Sequence, residues 1–283
     1  MNIKSLQSTG FETIANAFNE AFCKYEIQIS KQELSLMLKR RGFVPELSFG
    51  AFDDEKLVSF TLNGIGSYIG ALTAYDTGTG TLEEYRGKGL ASEVFNYSLP
   101  FLRKAGVSQY LLEVLQHNTT AISVYKNQGF ITTREFGYYR KKQSEISLND
   151  SHIVPQLSFQ EIFLETVSHC TSFIDFIPSW QNSYESIIRS QEGFKYIGAL
   201  YDGKLVGYCI LEPSSGDITQ IAVDKKYRRQ GIGTNMLAQA LRHNKNESIK
   251  VVNTDINCGS ISGFLDSNSI SLSGKQYEMI KKL

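Results

Sequence analysis

The chain has 283 residues, of which 41% are hydrophobic, and it carries equal numbers of basic and acidic side chains, 29 of each. This length supplies material for two cores of about 140 residues each. Zero net charge argues against a general nucleic-acid binder, whose affinity depends on a basic face. The N-terminus runs into a mixed helical pattern, and no apolar stretch approaches the roughly 18 residues of a membrane span. The sequence therefore predicts a soluble cytoplasmic protein that binds neither nucleic acid nor membrane.

Cysteine and histidine spacing indicates no metal centre. The four cysteines are far apart and form no C-x-x-C pair, and the four histidines form no H-E-x-x-H motif. The sequence therefore predicts neither a structural zinc nor a disulfide framework, and it predicts reduced cysteines.

Hydrophobic periodicity predicts two helices near the N-terminus. Apolar residues recur at helical spacing over residues 11–25. Ser30 and Glu33 stand in capping-box positions and predict the start of a second helix, which we expect to end before Gly42.

Strands follow these helices. Strand-like runs occupy residues 47–52, 57–62 and 68–81, with residues 64–70 predicted to connect the last two. A helix is predicted from about Gly87 to Arg103, and Pro100 is expected to kink or break it. A buried strand at 110–115, a short helix at 119–128 and a strand at 136–140 complete this half.

The second half of the chain repeats the first. Residues 50–58 (GAFDDEKLV) align with residues 198–206 (GALYDGKLV), and both segments predict a β-hairpin, the second with Asp202-Gly203 at its tip. The offset falls from 148 residues at this hairpin (50 to 198) to 139 at the asparagines (118 to 257). The duplicated order predicts two tandem domains, residues 1–143 and 159–283, joined by a serine-rich linker at 144–158.

Each copy contains a glycine-rich loop that follows a strand and opens a helix. The first reads YRGKGLA over residues 85–91, and the second reads YRRQGIG over residues 227–233. Such a turn binds anions because unpaired backbone N–H groups and the positive end of the helix dipole converge where no Cβ blocks the approach. The alternative is that the glycines only shape a tight turn, but the matched contexts favour phosphate binding.

The first copy resembles the GNAT superfamily of acyl-CoA-dependent N-acyltransferases. The resemblance rests on a strand, the YRGKGLA loop, Leu112-Glu113-Val114 and the pattern Asn118-x-x-Ala121-x-x-x-Tyr125-x-x-x-Gly129-Phe130. It covers residues 47–140 and is weaker over 195–270. It implies a mixed α/β (α+β) fold in each domain, with helices flanking a mostly antiparallel sheet that is splayed where two central strands part. Acetyl-CoA would enter this split.

The resemblance also implies which residues contact acetyl-CoA. In the first copy they are Thr79, Gly80, Thr81, Arg86, Gly87, Lys88, Gly89, Leu90, Ala91 and Asn118. In the second copy they are Ile221, Ala222, Val223, Arg228, Arg229, Gln230, Gly231, Ile232, Gly233 and Thr234. Asn118 is equally explained as the N-cap of the following helix.

Two side chains are the leading candidates for proton transfer. In the family the acceptor amine attacks the thioester directly, so no Ser/His/Asp set is needed. Tyr125, with a reference pKa of about 10, is predicted to protonate the departing thiolate, unless it is only a packed tyrosine. Glu113 is predicted to relay a proton from the amine if it faces the split, and to be solvated or paired if it faces out. Weaker candidates are Asp76, Glu83, Glu84 and His117.

The second copy departs from the pattern where chemistry would take place. Aligning Asn257 on Asn118 places Phe264 at the position of Tyr125, and phenylalanine cannot donate a proton. The sequence therefore predicts that the N-terminal half transfers an acetyl group from acetyl-CoA to a small-molecule or peptide amine. The other half is predicted to bind CoA or only to pack. The alternatives are a non-catalytic acyl-CoA sensor or scaffold and a tRNA-fed peptidoglycan aminoacyl transferase, which zero net charge disfavours.

Overall fold

A computed structural model describes residues 1–24, 28–148 and 154–283. Tyr25, at the end of the first predicted helix, and residues 149–153 of the predicted linker lie outside the described residues. The chain divides into two compact units. The first unit contains Met1–Thr133 and Glu278–Leu283, and the second contains Arg134–Tyr277.

These units do not follow the predicted domain boundaries at the ends of the repeat. Residues 134–142, predicted within the N-terminal domain, pack in the second unit. Residues 278–283, which end the second sequence copy, pack in the first unit. The backbone pairing explains the first difference, because Phe136–Lys142 pairs antiparallel with Ser248–Asp255.

The elements of the first unit appear in the predicted order. They are β1 (Asn2–Ser5), α1 (Phe11–Ala21), α2 (Lys31–Arg41), β2 (Phe49–Asp53), β3 (Lys56–Tyr68), β4 (Ala71–Thr81), α3 (Leu90–Lys104), β5 (Gln109–Leu115) and α4 (Thr119–Asn127). Strands β1 to β4 pair antiparallel in sequence order, and β5 is parallel to β4. The sequence pattern did not predict β1.

Local sequence signals account for the two N-terminal helices. Helix α1 buries its apolar residues Ile14, Ala15 and Phe18. The predicted capping box starts α2: the Ser30 hydroxyl accepts from the Glu33 amide at 3.2 Å, and the Glu33 carboxylate accepts from the Ser30 amide at 2.7 Å. Gly42, with a left-handed φ of 78°, ends the helix.

Two local predictions differ from the structure. Helix α3 runs from Leu90 to Lys104 and contains Pro100, so the proline does not break it. The predicted connection at residues 64–70 is mostly strand: β3 continues to Tyr68, and only Ile69 and Gly70, both with positive φ, form the turn. Gly64 is required within β3 because a Cβ would come within 2.1 Å of the Arg41 carbonyl oxygen.

The second unit repeats this architecture. Its elements, together with the ends of β6 and β12 that pack in the first unit, are β6 (Ile131–Lys142), β7 (Leu157–Glu161), α5 (Leu164–Ser168), α6 (Tyr184–Ile188), β8 (Lys195–Tyr201), β9 (Lys204–Glu212), β10 (Asp217–Val223), α7 (Ile232–His243), β11 (Ser248–Asp255), α8 (Gly259–Ser267) and β12 (Leu272–Lys282). Strands β7 to β10 pair antiparallel, and β11 is parallel to β10. The predicted hairpin tip at Asp202 and Gly203 is confirmed, with φ of 49° and 76°.

Each unit has its own apolar core. The first is built around Phe18, Leu34, Phe60 and Val94, and the second around Val206, Ile218, Met236 and Leu265. In the part of the chain that the structure describes, no helix is long and apolar enough to cross a membrane.

Candidate active site

A cleft opens in each unit where two neighbouring parallel strands part. Pairing of β4 with β5 ends at Tyr75 and Leu111, and pairing of β10 with β11 is limited to Asp217 and Lys250. A β-bulge follows in both units, at Thr77 in β4 and between Ile218 and Gln220 in β10. Bulges bend a strand and redirect its side chains. The two parallel strands of each unit therefore begin to separate at equivalent positions.

The first glycine loop has the geometry of an anion site. Gly87 and Gly89 have φ of 75° and 78°, and Gly89 is the N-cap of α3. Apart from the glycine itself and its neighbours in the chain, no atom of the described residues lies within 4 Å of the position that a Cβ would take on either glycine. The first N–H groups of a helix have no partner within the helix. The space before the loop is therefore open to an anionic ligand.

The first arginine of each loop holds the loop in place through hydrogen bonds to backbone carbonyls. Arg86 donates from Nε to the Thr81 carbonyl at 3.0 Å and from its guanidinium to the Ala21 carbonyl at 2.7 Å. Arg228 makes the same Nε bond, to the Val223 carbonyl at 3.0 Å. These bonds fasten each loop to the strand before it, a role that the sequence pattern did not reveal.

The cleft of the first unit has a volume of about 180 Å³. Its walls come from β4, β5, α3 and α4, and the lining residues are Asp76, Thr79, Ala91, Phe95, Tyr110, Leu112, Ala121, Val124, Tyr125, Gln128 and Phe130. Thr79, Ala91 and Tyr125 of the predicted site residues therefore meet in one cavity. Leu90 and Gly80 are buried and do not line it, and residues 86–89 are exposed.

Helix α4 presents Tyr125 to this cleft. Asn118 caps the helix by accepting from the Ala121 amide at 3.2 Å. At the other end, the Phe130 amide donates to the Tyr125 carbonyl at 3.0 Å, and Gly129 has φ of 87°. The Tyr125 and Phe130 rings pack edge to face, with centroids 5.6 Å apart. Both ends of the helix are thus fixed around a half-buried tyrosine.

Asp76 is the carboxylate in the same cleft. Its oxygens accept from the Gly78 amide and the Thr79 hydroxyl, each at 2.9 Å. Burial raises the pKa of Asp76 to about 6, against the opposing effects of these two hydrogen bonds and of the Arg41 charge. Asp76 therefore changes its ionisation close to neutral pH.

Glu113 lies on the other face of the sheet. Tyr110 and Leu112 line the cleft, and alternation along β5 directs Glu113 the opposite way. Its carboxylate accepts from the Tyr75 hydroxyl at 3.0 Å. The other carboxylate candidates are also elsewhere: Glu83 pairs with Lys24, and neither Glu84 nor His117 is among the described residues that line the cleft.

The cavity of the second unit is larger, at about 660 Å³. The predicted residues of the second copy line it, except Gln230, together with residues 173–176, Pro178 and helix α8. Hydrogen-bonded amides form part of the wall: Gln220 donates to the Asn182 carbonyl at 2.6 Å, and Asn182 donates to the Val252 carbonyl at 2.8 Å.

Asp175 connects the two sides of this cavity. Its carboxylate accepts from Arg228 of the glycine loop at 2.8 Å and from Ser260 of α8 at 2.6 Å. The Lys225 Nζ atom lies 3.7 Å from Oδ1 of Asp175. The hydrogen bonds from Ser260 and Arg228, together with the positive charges, lower the pKa of Asp175 despite its partial burial. Asp175 is therefore an ionised carboxylate at the second glycine loop.

The structure corrects the alignment of the second copy at α8. The N-caps of α4 and α8 are Asn118 and Cys258, an offset of 140 rather than 139. The extra residue lies in a bulge of β11, where Asn253 has φ of 59°. The Ile270 amide donates to the Leu265 carbonyl as Phe130 does to Tyr125. By backbone position Leu265 therefore corresponds to Tyr125, whereas Phe264, the residue that the sequence alignment places there, is the side chain that lines the cavity. Neither side chain can donate a proton.

Comparison with known proteins agrees with this geometry. The model of the Acetyltransferase (GNAT) family matches residues 11–130 and 159–262. N-alpha-acetyltransferase 30 of Schizosaccharomyces pombe is 30% identical over 130 residues, 43% of this chain and 87% of the relative. N-alpha-acetyltransferase MAK3 of Arabidopsis thaliana is 27% identical over 95 residues, 34% of this chain and half of the relative's length.

Solved structures share the fold over nearly the whole chain. A tandem GNAT protein from the clavulanic acid biosynthesis pathway has a TM-score of 0.74 at 12% identity, covering 99% of this chain and 98% of its own. A GCN5-related N-acetyltransferase from Sphaerobacter thermophilus has the same TM-score at 11% identity, with coverage of 99% and 95%. A fungal structure with a TM-score of 0.73, at 15% identity, contains a GCN5-related glucosamine N-acetyltransferase region; 99% of this chain is covered, but only 38% of the fungal chain. The chain belongs to the GNAT family of acetyltransferases and is a tandem member of it.

Proposed function

We propose that the first unit transfers an acetyl group from acetyl-CoA to the amine of an acceptor. One observation carries this proposal: Tyr125 and Asp76, a proton donor and a proton acceptor, line the same cleft where β4 and β5 part. The N-alpha-acetyltransferase relatives favour a peptide amine as acceptor.

The residues of the first unit fit acetyl-CoA. Gly87 and Gly89 carry no Cβ, and the space that a Cβ would enter is open. A diphosphate can therefore approach the loop amides closely. The amides of residues 86–91 would hold this group, and the backbone of residues 79–81 would pair with the pantetheine arm. Acetyl-CoA supplies the activated thioester.

Proton transfer is assigned to the two cleft residues. The Tyr125 hydroxyl would donate its proton to the leaving sulfur. Asp76, ionised above about pH 6, would accept a proton released by the amine. Glu113, which accepts a hydrogen bond from Tyr75 on the opposite face of the sheet, is the second candidate for this role.

The test is a panel of peptide and small-molecule amines, with thiol release from acetyl-CoA as the readout, applied to the parent and to Tyr125→Phe. Loss of a general acid lowers kcat by roughly 10²- to 10⁴-fold, whereas the KM for acetyl-CoA is expected to stay within about threefold of the parent. Tyr97→Phe is the matched control, because this half-exposed tyrosine lies on α3 against Phe49 and Phe101, outside the cleft. A kcat for Tyr125→Phe within about threefold of the parent, with chemistry rate-limiting, would mean that Tyr125 only packs and is not the general acid.

A second function is favoured by the cavity of the other unit. It keeps the glycine-loop conformation and encloses about 660 Å³, a volume typical of small-molecule sites, but α8 carries Phe264 and Leu265 where α4 carries the acid Tyr125. We infer that the second unit binds CoA or an acyl-CoA without transfer. Calorimetry tests this inference through the stoichiometry: two CoA per chain are expected for the parent and one for Gly231→Ala. A stoichiometry of one for the parent that Gly231→Ala leaves unchanged would contradict it.

A further inference from the structure

We propose that Lys281 is a positioning residue for Tyr125. Lys281 belongs to the end of β12, which packs in the first unit although it closes the second sequence copy. The proposal rests on the acetyl transfer proposed above, because it assigns to Lys281 the task of fixing the helix that carries the acid.

The contact lies at the C-terminal end of α4. The Lys281 ammonium donates to the Gln128 carbonyl at 2.6 Å, and Gln128 is the C-cap of the helix. The last carbonyls of a helix have no partner within the helix, and a positive charge there interacts favourably with the helix dipole. Lys281 thus supplies both a donor and a charge at this end.

The capped residue is directly connected to Tyr125. The Tyr125 carbonyl accepts from the Gln128 amide at 3.1 Å and from the Phe130 amide at 3.0 Å. Gln128 itself lines the cleft beside Tyr125. A shift of the Gln128 peptide therefore moves the last turn of α4 and with it the tyrosine.

The segment that carries Lys281 is held on both sides within the first unit. Glu278 is 1% exposed and accepts from the Thr133 hydroxyl at 2.7 Å and from the Tyr68 hydroxyl at 3.3 Å. The Leu283 amide donates to the Ser108 carbonyl at 3.0 Å. These bonds fix the backbone on either side of Lys281. The Lys281 side chain therefore extends to Gln128 from a fixed position.

The experiment compares Lys281→Met with Lys282→Met in the full chain. Lys282 is exposed and provides the same chemical change next to the contact. We expect Lys281→Met to lower kcat by about 10- to 100-fold, as expected when a catalytic group is misplaced by about an ångström, with the KM for acetyl-CoA within about twofold. Lys281→Arg, which keeps the charge and the donor, should restore most of kcat.

Hydrogen exchange provides a readout that does not depend on turnover. The amides of residues 128–130 should exchange faster in Lys281→Met than in Lys282→Met, since they close the last turn of α4. Equal exchange in the two variants, or a kcat of Lys281→Met within twofold of the Lys282→Met value, would overturn the proposal. A parent without transfer activity would contradict the proposed function, and the exchange comparison would still decide whether Lys281 fixes α4.

Discussion

Gly87 and Arg229 occupy the same position in the two glycine loops, and both have left-handed backbone dihedrals, with φ of 75° and 62°. The residues that precede them, Arg86 and Arg228, are extended, with φ of −69° and −70°. The N-caps that follow, Gly89 and Gly231, share a φ of 78°. The second loop has therefore kept its shape although a non-glycine residue stands where the conformation favours glycine.

This strain predicts that Arg229→Gly stabilises the second unit. A left-handed conformation costs an L-residue about 1–2 kcal/mol, part of which the greater flexibility of unfolded glycine offsets. We expect the free energy of unfolding to rise by about 0.5–1 kcal/mol, measured by chemical denaturation. Arg229→Ala is the control, because it removes the same side chain but keeps the strain; an equal gain in both variants would assign the effect to the lost charge.

A pair of glycine substitutions tests which unit catalyses transfer. Gly89→Ala adds a methyl group to the space in front of the first loop and should lower acetyl-CoA turnover by at least about 10-fold. Gly231→Ala makes the same change at the same φ in the second loop and should leave turnover within about twofold. The two variants carry equal strain, so similar melting temperatures are expected for them. The reverse result would mean that the second unit is the catalytic one.

Local signals were sufficient for the parts of the fold that depend on neighbouring residues. Ser30 and Glu33 predicted the start of α2, and Asp202-Gly203 predicted the turn of a hairpin, because each feature is decided within four residues. The glycine loops were recognisable for the same reason. The GNAT motif then supplied the order of the elements and the splayed sheet.

Features that depend on distant contacts could not be read in this way. The bulge at Asn253 moved the alignment of α8 by one residue, and no local pattern marks it. The packing of residues 278–283 in the first unit pairs positions far apart in the chain. Which of Asp76 and Glu113 lines the cleft depends on the face of the sheet that each side chain takes, and Asp76 lies directly before the bulge at Thr77. Alternation alone does not fix this choice.

The raised pKa of Asp76 predicts a pH dependence of activity. If Asp76 accepts the proton, kcat/KM should fall as the pH drops through about 6, and this acidic limb should be absent in the residual activity of Asp76→Asn. Glu113→Gln is the control and should retain the limb. A profile in which Glu113→Gln loses the limb and Asp76→Asn keeps it would reverse the assignment of the base.

The same shift predicts how stability depends on pH. The folded-state pKa of Asp76, about 6, lies above the unfolded reference of about 3.9, so the folded state binds the proton more tightly. The contribution of Asp76 to the free energy of unfolding is therefore fully present below about pH 4 and is lost as the pH rises through about 6. Asp76→Asn should remove this loss, measured as a smaller fall in stability between these two pH values than in the parent.

Asp175 is expected to oppose the binding of CoA to the second unit. Its carboxylate already pairs with Arg228 and accepts from Ser260 at the mouth of the cavity, so an incoming diphosphate meets a negative charge at the loop that would bind it. Two charges a few ångströms apart in water interact by about 1 kcal/mol, and we therefore expect Asp175→Asn to tighten CoA binding by about 5- to 10-fold. Calorimetry in a Gly89→Ala background, where the first site is weakened, measures the second site alone.

The gain in CoA affinity of Asp175→Asn should shrink as salt is raised to 0.5 M, because salt screens the repulsion. Asp202→Asn removes one negative charge from the hairpin tip of the same unit, outside the cavity, and should leave the affinity unchanged. Weaker binding by Asp175→Asn would show instead that the carboxylate supports the site by holding Arg228 and Ser260 in place.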